Sequence, residues 1–101
     1  MTIESKLAEI DARAARAKRA EPLIRALNDV IAEELLAGSK FPVPGVLWMN
    51  PKHPAAPFTE DINRASADGK TKMLGIPVEF SEAMPEDQCE LYLDGRPTRR
   101  L

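Results

Sequence analysis

His53 and Cys89 are the chain's one imidazole and one thiol. A Cys–His pair would supply a nucleophile and its base, but the two residues fall in separate segments that nothing in the sequence brings together. Cys89 therefore reads as a strand residue and His53 as a surface-loop residue. A lone cysteine also rules out an internal disulfide and a Cys-based zinc site within one chain. The adjacent acids Glu60-Asp61 and Glu86-Asp87 sit in polar segments, whereas acid–base catalysis needs carboxylates in contrasting surroundings. The five glycines are widely spaced and form no phosphate-cradling loop. The expectation is a protein with no catalytic residues, no cofactor and no metal.

Charge is more informative. Arg13, Arg16, Lys18, Arg19 and Arg25 crowd the N-terminal third, while Glu79, Glu82, Glu86, Asp87, Glu90 and Asp94 fill a later stretch. Arg13, Arg16 and Arg19 share one flank of a straight helix. Such a flank reads as solvated surface, as a contact for an acidic edge on a neighbouring copy, or as a nucleic-acid contact. The net charge of −2 and the lack of interleaved aromatics argue against nucleic acid.

The elements that must position these residues follow from composition and period. A chain of 101 residues fits one domain. The start, Met1-Thr2-Ile3-Glu4-Ser5-Lys6, lacks the basic and apolar regions of a secretion signal, and no apolar run reaches the ~20 residues of a membrane span. The protein is accordingly expected in the cytosol or in something assembled there, neither secreted nor in a membrane.

Ile3 to Ala20 contains neither Gly nor Pro, and Thr2 stands as an N-cap. Ile3, Leu7, Ile10, Ala14 and Ala17 recur at spacings of four and three, the seam of a coiled-coil-like contact. Pro22 predicts either the start of a second helix or a kink in a continuous one. Leu23, Ile24, Leu27, Val30, Ile31, Leu35 and Leu36 give a broader apolar stripe, closed by Gly38. Beyond it, Phe41-Pro42-Val43-Pro44-Gly45 reads as extended and turn-rich. Val46–Met49, Met73–Phe80 and Cys89–Leu93 read as strands, the last two paired antiparallel, and Asp61–Ala67 as a helical turn or two. Trp48 and Met49, held between prolines, are candidates for an exposed anchor.

Three segments in order, Val46-Leu47-Trp48-Met49-Asn50-Pro51, Leu74-Gly75-Ile76-Pro77-Val78 and Glu82-Ala83-Met84-Pro85, resemble a region of tailed-phage major capsid proteins. There a strand ending in an Asn-Pro turn precedes a leucine-glycine-x-proline-valine strand and a methionine-proline turn. The signature is also similar to that of small phage and prophage proteins. The resemblance implies a central α+β region with no catalytic residue, cofactor or metal. The chain is too short for a whole capsid subunit, and its N-terminal helix has no counterpart in that region.

These readings predict an α+β fold: a bent helix or helical hairpin over 1–38, packed on a small, mainly antiparallel sheet within 39–101. The expected function is that of a phage-derived virion or assembly accessory protein acting through protein–protein contacts. Its partner would be a second copy of itself or a phage structural protein, met through Ile3, Leu7, Ile10, Ala14, Ala17, Arg13, Arg16, Arg19, Trp48 and Met49. Two other classes compete. One is an inhibitor of a host enzyme or defence complex, with Glu86, Asp87 and Glu90 mimicking nucleic acid; the other is a nucleic-acid binder using Arg13, Arg16, Lys18 and Arg19.

Overall fold

Thr2 opens the longest element: its side-chain oxygen accepts the Ser5 backbone N–H at 3.1 Å, capping helix α1, Ile3–Leu36. The computed structural model describes residues 2–40 and 44–101; the extended reading of Phe41, Pro42 and Val43 lies outside the described residues. At 1.5 Å per residue α1 is about 51 Å long, matching the molecule's longest extent of 50 Å.

The helix passes through Pro22 without a break, so the hairpin alternative is not what forms. Proline deprives the Lys18 carbonyl of its donor, but Lys18 and Pro22 are both exposed, and water can take the vacant acceptor. The far end closes as expected. Gly38 adopts φ +90°, Ser39 N–H donates to the Glu34 carbonyl at 3.0 Å and Gly38 N–H to the Leu35 carbonyl at 3.1 Å, the paired bonds of a Schellman cap.

Among the described residues five strands form one sheet in the order β2-β3-β1-β4-β5: β1 is Gly45–Met49, β2 Lys72–Met73, β3 Ile76–Phe80, β4 Cys89–Leu93 and β5 Arg99–Arg100. Three of the four pairings are antiparallel; β1 and β3 run parallel. The expected strand over Met73–Phe80 is thus two strands. Leu74 and Gly75 both have positive φ, 52° and 82°, the two-residue turn that folds a tight hairpin, and Met73 faces Ile76 across it. Nor do β3 and β4 pair with each other, because β1 lies between them with Leu47 opposite both Val78 and Leu91. The β1–β3 crossover carries helix α2, Ala56–Ala65, and parallel neighbours need such a connection. Pro57 sits in the first turn of α2, where its missing N–H costs nothing.

Alternation along the strands sorts the sheet into two faces. Leu47, Met49, Ile76, Val78, Cys89, Leu91 and Leu93 point to one side and form a single core with Ala20, Leu23, Leu27 and Val30 of α1 and Ala55 and Ala56 at the start of α2. Both helices therefore cover the same face. The other face, with Trp48, Glu79 and Tyr92, stays open.

The three segments singled out in the sequence, Val46–Pro51, Leu74–Val78 and Glu82–Pro85, meet in this frame. Asn50, only 7% exposed, donates from Nδ2 to the carbonyls of Met84 at 2.7 Å and Glu82 at 3.4 Å, and its Oδ1 accepts the Lys52 N–H at 2.8 Å. It ties the end of β1 to the turn after β3. Asn50→Ala leaves these groups unpaired in a covered site and is expected to cost about 1–3 kcal/mol, read as a lower urea midpoint with an unchanged slope.

Candidate functional site

The core touches only part of α1. Every residue from Ile3 to Ala15 is exposed, so the helix projects beyond the sheet as an arm. Along that arm Ile3, Leu7 and Ile10 keep 78%, 55% and 60% of their surface in solvent. Ala14 is exposed and Ala17 half-buried. With about 100° per residue, the seam Ile3/Leu7/Ile10/Ala14/Ala17 is centred about 140° around the helix from Ala20/Leu23/Leu27/Val30. The seam is therefore an apolar surface turned away from the domain's own core. Large apolar residues left in solvent along an otherwise polar helix are the kind of surface that protein contacts use.

One ion pair marks where the arm leaves the body. Arg16 grips Asp61 of α2 with two hydrogen bonds, Nε to Oδ2 at 2.6 Å and Nη2 to Oδ1 at 3.1 Å, and both side chains are about four-fifths covered, keeping 22% and 17% of their surface. Arg16 is thus committed within the chain rather than to a partner. Its hydrogen bond and charge hold the Asp61 carboxyl below the usual carboxylate range. At the other end Glu34 accepts from Arg96 at 2.8 Å and from Ser39 at 2.8 Å, and is likewise lowered, chiefly by the Arg96 hydrogen bond. Arg99 pairs with Glu33 at 2.7 Å. The two clasps fasten α1 to α2 and to the C-terminal strand.

Comparison with protein families, curated proteins and solved structures gives no match. Function must therefore be argued from the surfaces themselves.

The remaining expected contact residues divide. Arg13 bonds Glu9 on its own helix at 2.7 Å. Arg19 lines a cleft of about 230 Å³ with Pro22, Leu23, His53, Pro54 and Asp87. Trp48 is 37% exposed on the open face, in register between Glu79 and Glu90, with Tyr92 one pair further along β4. Met49 is fully buried because it points to the other side of the same strand, so it serves the core and not an anchor. Tyr92, 45% exposed, belongs to the open patch; its period-two spacing from Glu90 was the signal for it.

The thiol and the imidazole are both held within the fold. Cys89 is wholly covered, and burial pushes its thiol up to about 11, so it stays protonated at neutral pH. His53 is half-buried, and its Nδ1 accepts the Ala55 backbone N–H at 3.0 Å, which fixes a neutral ring with the proton on Nε2. Burial lowers its pKa against the opposing pull of Asp87. Among the described residues no cluster of His, Cys, Asp or Glu forms a metal site, and no helix is long and apolar enough to cross a membrane.

The clasps make stability depend on pH in a defined sense. Asp61 and Glu34 have folded-state pKa values below their unfolded ones, so their contribution is complete above about pH 5 and is lost as pH falls through the folded values. The melting temperature is expected to fall between pH 5 and about pH 3. Asp61→Asn with Glu34→Gln should start lower at neutral pH and flatten that slope.

Proposed function

We propose that this protein is a non-enzymatic assembly component, and that α1 is its coupling device: the sheet anchors the helix and the arm carries the contact. The observation behind this reading is the apolar seam, exposed from Ile3 to Ala14 over about three helical turns and rotated away from the core. A domain gains nothing for its own fold by displaying Ile3, Leu7 and Ile10 to water. The capsid-like signature, now seen as the β1 end, the β2–β3 turn and the Asn50-clasped turn, favours a tailed-phage virion or its assembly as the setting. A role in the host cytoplasm or in the particle fits the same surface.

The basic flank supports nucleic acid less well once its pairs are counted: Arg13, Arg16 and Arg25 each face an acid, Glu9, Asp61 and Glu21. The inhibitor reading rests on Glu86, Asp87 and Glu90, of which Glu86 lies 3.7 Å from Lys52.

The test is the molar mass of the purified protein by light scattering, followed by capture with tailed-phage head and tail structural proteins. A defined assembly in either experiment, lost when the seam is charged, is the expected result. A monomer that captures none of those proteins overturns the reading.

A further inference from the structure

The seam has a second property, in its flanks. Written as a heptad, Ile3, Ile10, Ala17, Ile24 and Ile31 occupy one core position and Leu7, Ala14, Glu21, Asn28 and Leu35 the other. The flank beside the first set, at seven-residue intervals, is Glu4, Asp11, Lys18 and Arg25: two acids followed by two bases. All four are exposed, and their side of the helix faces away from the body.

We propose that α1 pairs antiparallel with α1 of a second copy, about a two-fold axis between Ala15 and Arg16. The proposal rests on the assembly reading and names its partner. In antiparallel coiled coils like flank positions face each other. In this register Glu4 meets the partner's Arg25 and Asp11 meets the partner's Lys18, and the two-fold axis repeats both pairs, so that four opposite-charge contacts form with no like-charge contact on that flank. In the layers between them Leu7 meets the partner's Ile24, Ile10 meets the partner's Glu21, whose exposed side chain reaches solvent at the helix edge, and Ala14 meets the partner's Ala17, where two small residues let the backbones approach closely at the centre. On the other flank the positions facing Lys6 and Arg13 are the partner's Leu27 and Ala20, both wholly buried in the partner's own core, so α1 itself sets no charge against charge there.

A parallel pair does not achieve this. It sets Lys6 against the partner's Asp11 but Arg13 against the partner's Lys18, and it stacks Glu21 on Glu21. Packing also permits the antiparallel arrangement. The body engages α1 from Arg16 onward, so the two sheet bodies lie on opposite halves of the helix pair, and each arm runs along the seam of the other copy's anchored half.

Two single charge reversals at exposed positions test both the occupant and the direction. Lys18→Glu places Glu opposite the partner's Asp11, and Asp11→Lys places Lys opposite the partner's Lys18. Each variant alone is expected to raise the dimer dissociation constant about tenfold. Mixing the two in equal amounts restores every pair as Lys–Glu or Asp–Lys, so a heterodimer of wild-type affinity forms, read by sedimentation equilibrium with one variant labelled. Circular dichroism checks that each variant keeps its helix. If Lys18→Glu instead tightens self-association, the pair is parallel and the proposal is wrong. A wild type that remains monomeric at about 100 μM while its arm binds a phage structural protein overturns self-pairing and leaves the assembly reading standing.

Discussion

Leu7→Glu combined with Ile10→Glu is expected to turn an assembled protein into a folded monomer of 11.2 kDa with its stability nearly unchanged. Both residues lie more than half in solvent in the single chain, so the folded domain loses no packing, and surface substitutions of this kind shift stability by about 0.5 kcal/mol or less. Glutamate also favours helix as well as most residues do. In an assembled seam the same change buries two carboxylates per chain against apolar neighbours, which costs several kcal/mol, and every 1.4 kcal/mol is a factor of ten in affinity. The dissociation constant should rise more than about a hundredfold. Light scattering gives the mass, and urea unfolding by circular dichroism gives the stability of the same sample. A variant that unfolds would make the seam part of the core and remove the basis of the proposed function; one that associates as before would place the contact elsewhere, with the Trp48–Tyr92 patch next in line.

How much of this was legible in the sequence depends on the range of the interaction that decides each feature. The seam was legible because a helix converts a local period into a face, and Ile3, Leu7 and Ile10 need no distant partner to share one side. The Thr2 cap and the Gly38 stop are equally local. Helix α2 was legible only in its second half: the sequence places a turn or two at Asp61–Ala67, whereas the helix spans Ala56–Ala65, and its start is marked by Pro57 in the first turn, with Phe58 and Ile62 following at helical spacing. The split of Met73–Phe80 was carried by Leu74-Gly75, where the leucine masked a turn that asparagine would have announced. Strand order was not written locally at all. That β1 parts β3 from β4 follows from a crossover across the sheet, and alternation within a strand says nothing about its neighbour.

The site divides along the same line. The narrow seam leaves open whether the arm packs within the chain or projects from it, and the commitment of Arg16 is not legible at all, because its partner Asp61 is 45 positions away in sequence. Arg13, Arg16 and Arg19 share a flank on paper, yet the structure gives one to a neighbour on the same helix, one to α2 and one to a cleft. Met49 next to Trp48 shows the strand's rule at its sharpest: adjacent in sequence, opposite in the sheet.

A comparison of two leucines on one helix tests whether arm and anchor are separate. Leu27 is wholly buried in the core that joins α1 to the sheet, whereas Leu7 stands in solvent. Leu27→Ala removes the same atoms as Leu7→Ala, but from a packed interior that relaxes only partly around the vacancy, so it should cost about 2–5 kcal/mol. Against a total of about 5–15 kcal/mol for a domain of ordinary stability, that is a large fraction. Leu7→Ala in the monomer should cost less than about 0.5 kcal/mol. Measured by urea unfolding at a concentration low enough to keep both proteins monomeric, the midpoints should separate widely while the slopes agree. At higher concentration the order of effects on association reverses. Leu7→Ala weakens pairing, and Leu27→Ala acts on it only through the fraction of chains that remain folded. Equal midpoints for the two variants would mean that the arm is part of the cooperative core, and the division of α1 into an anchored half and a free one would fail with them.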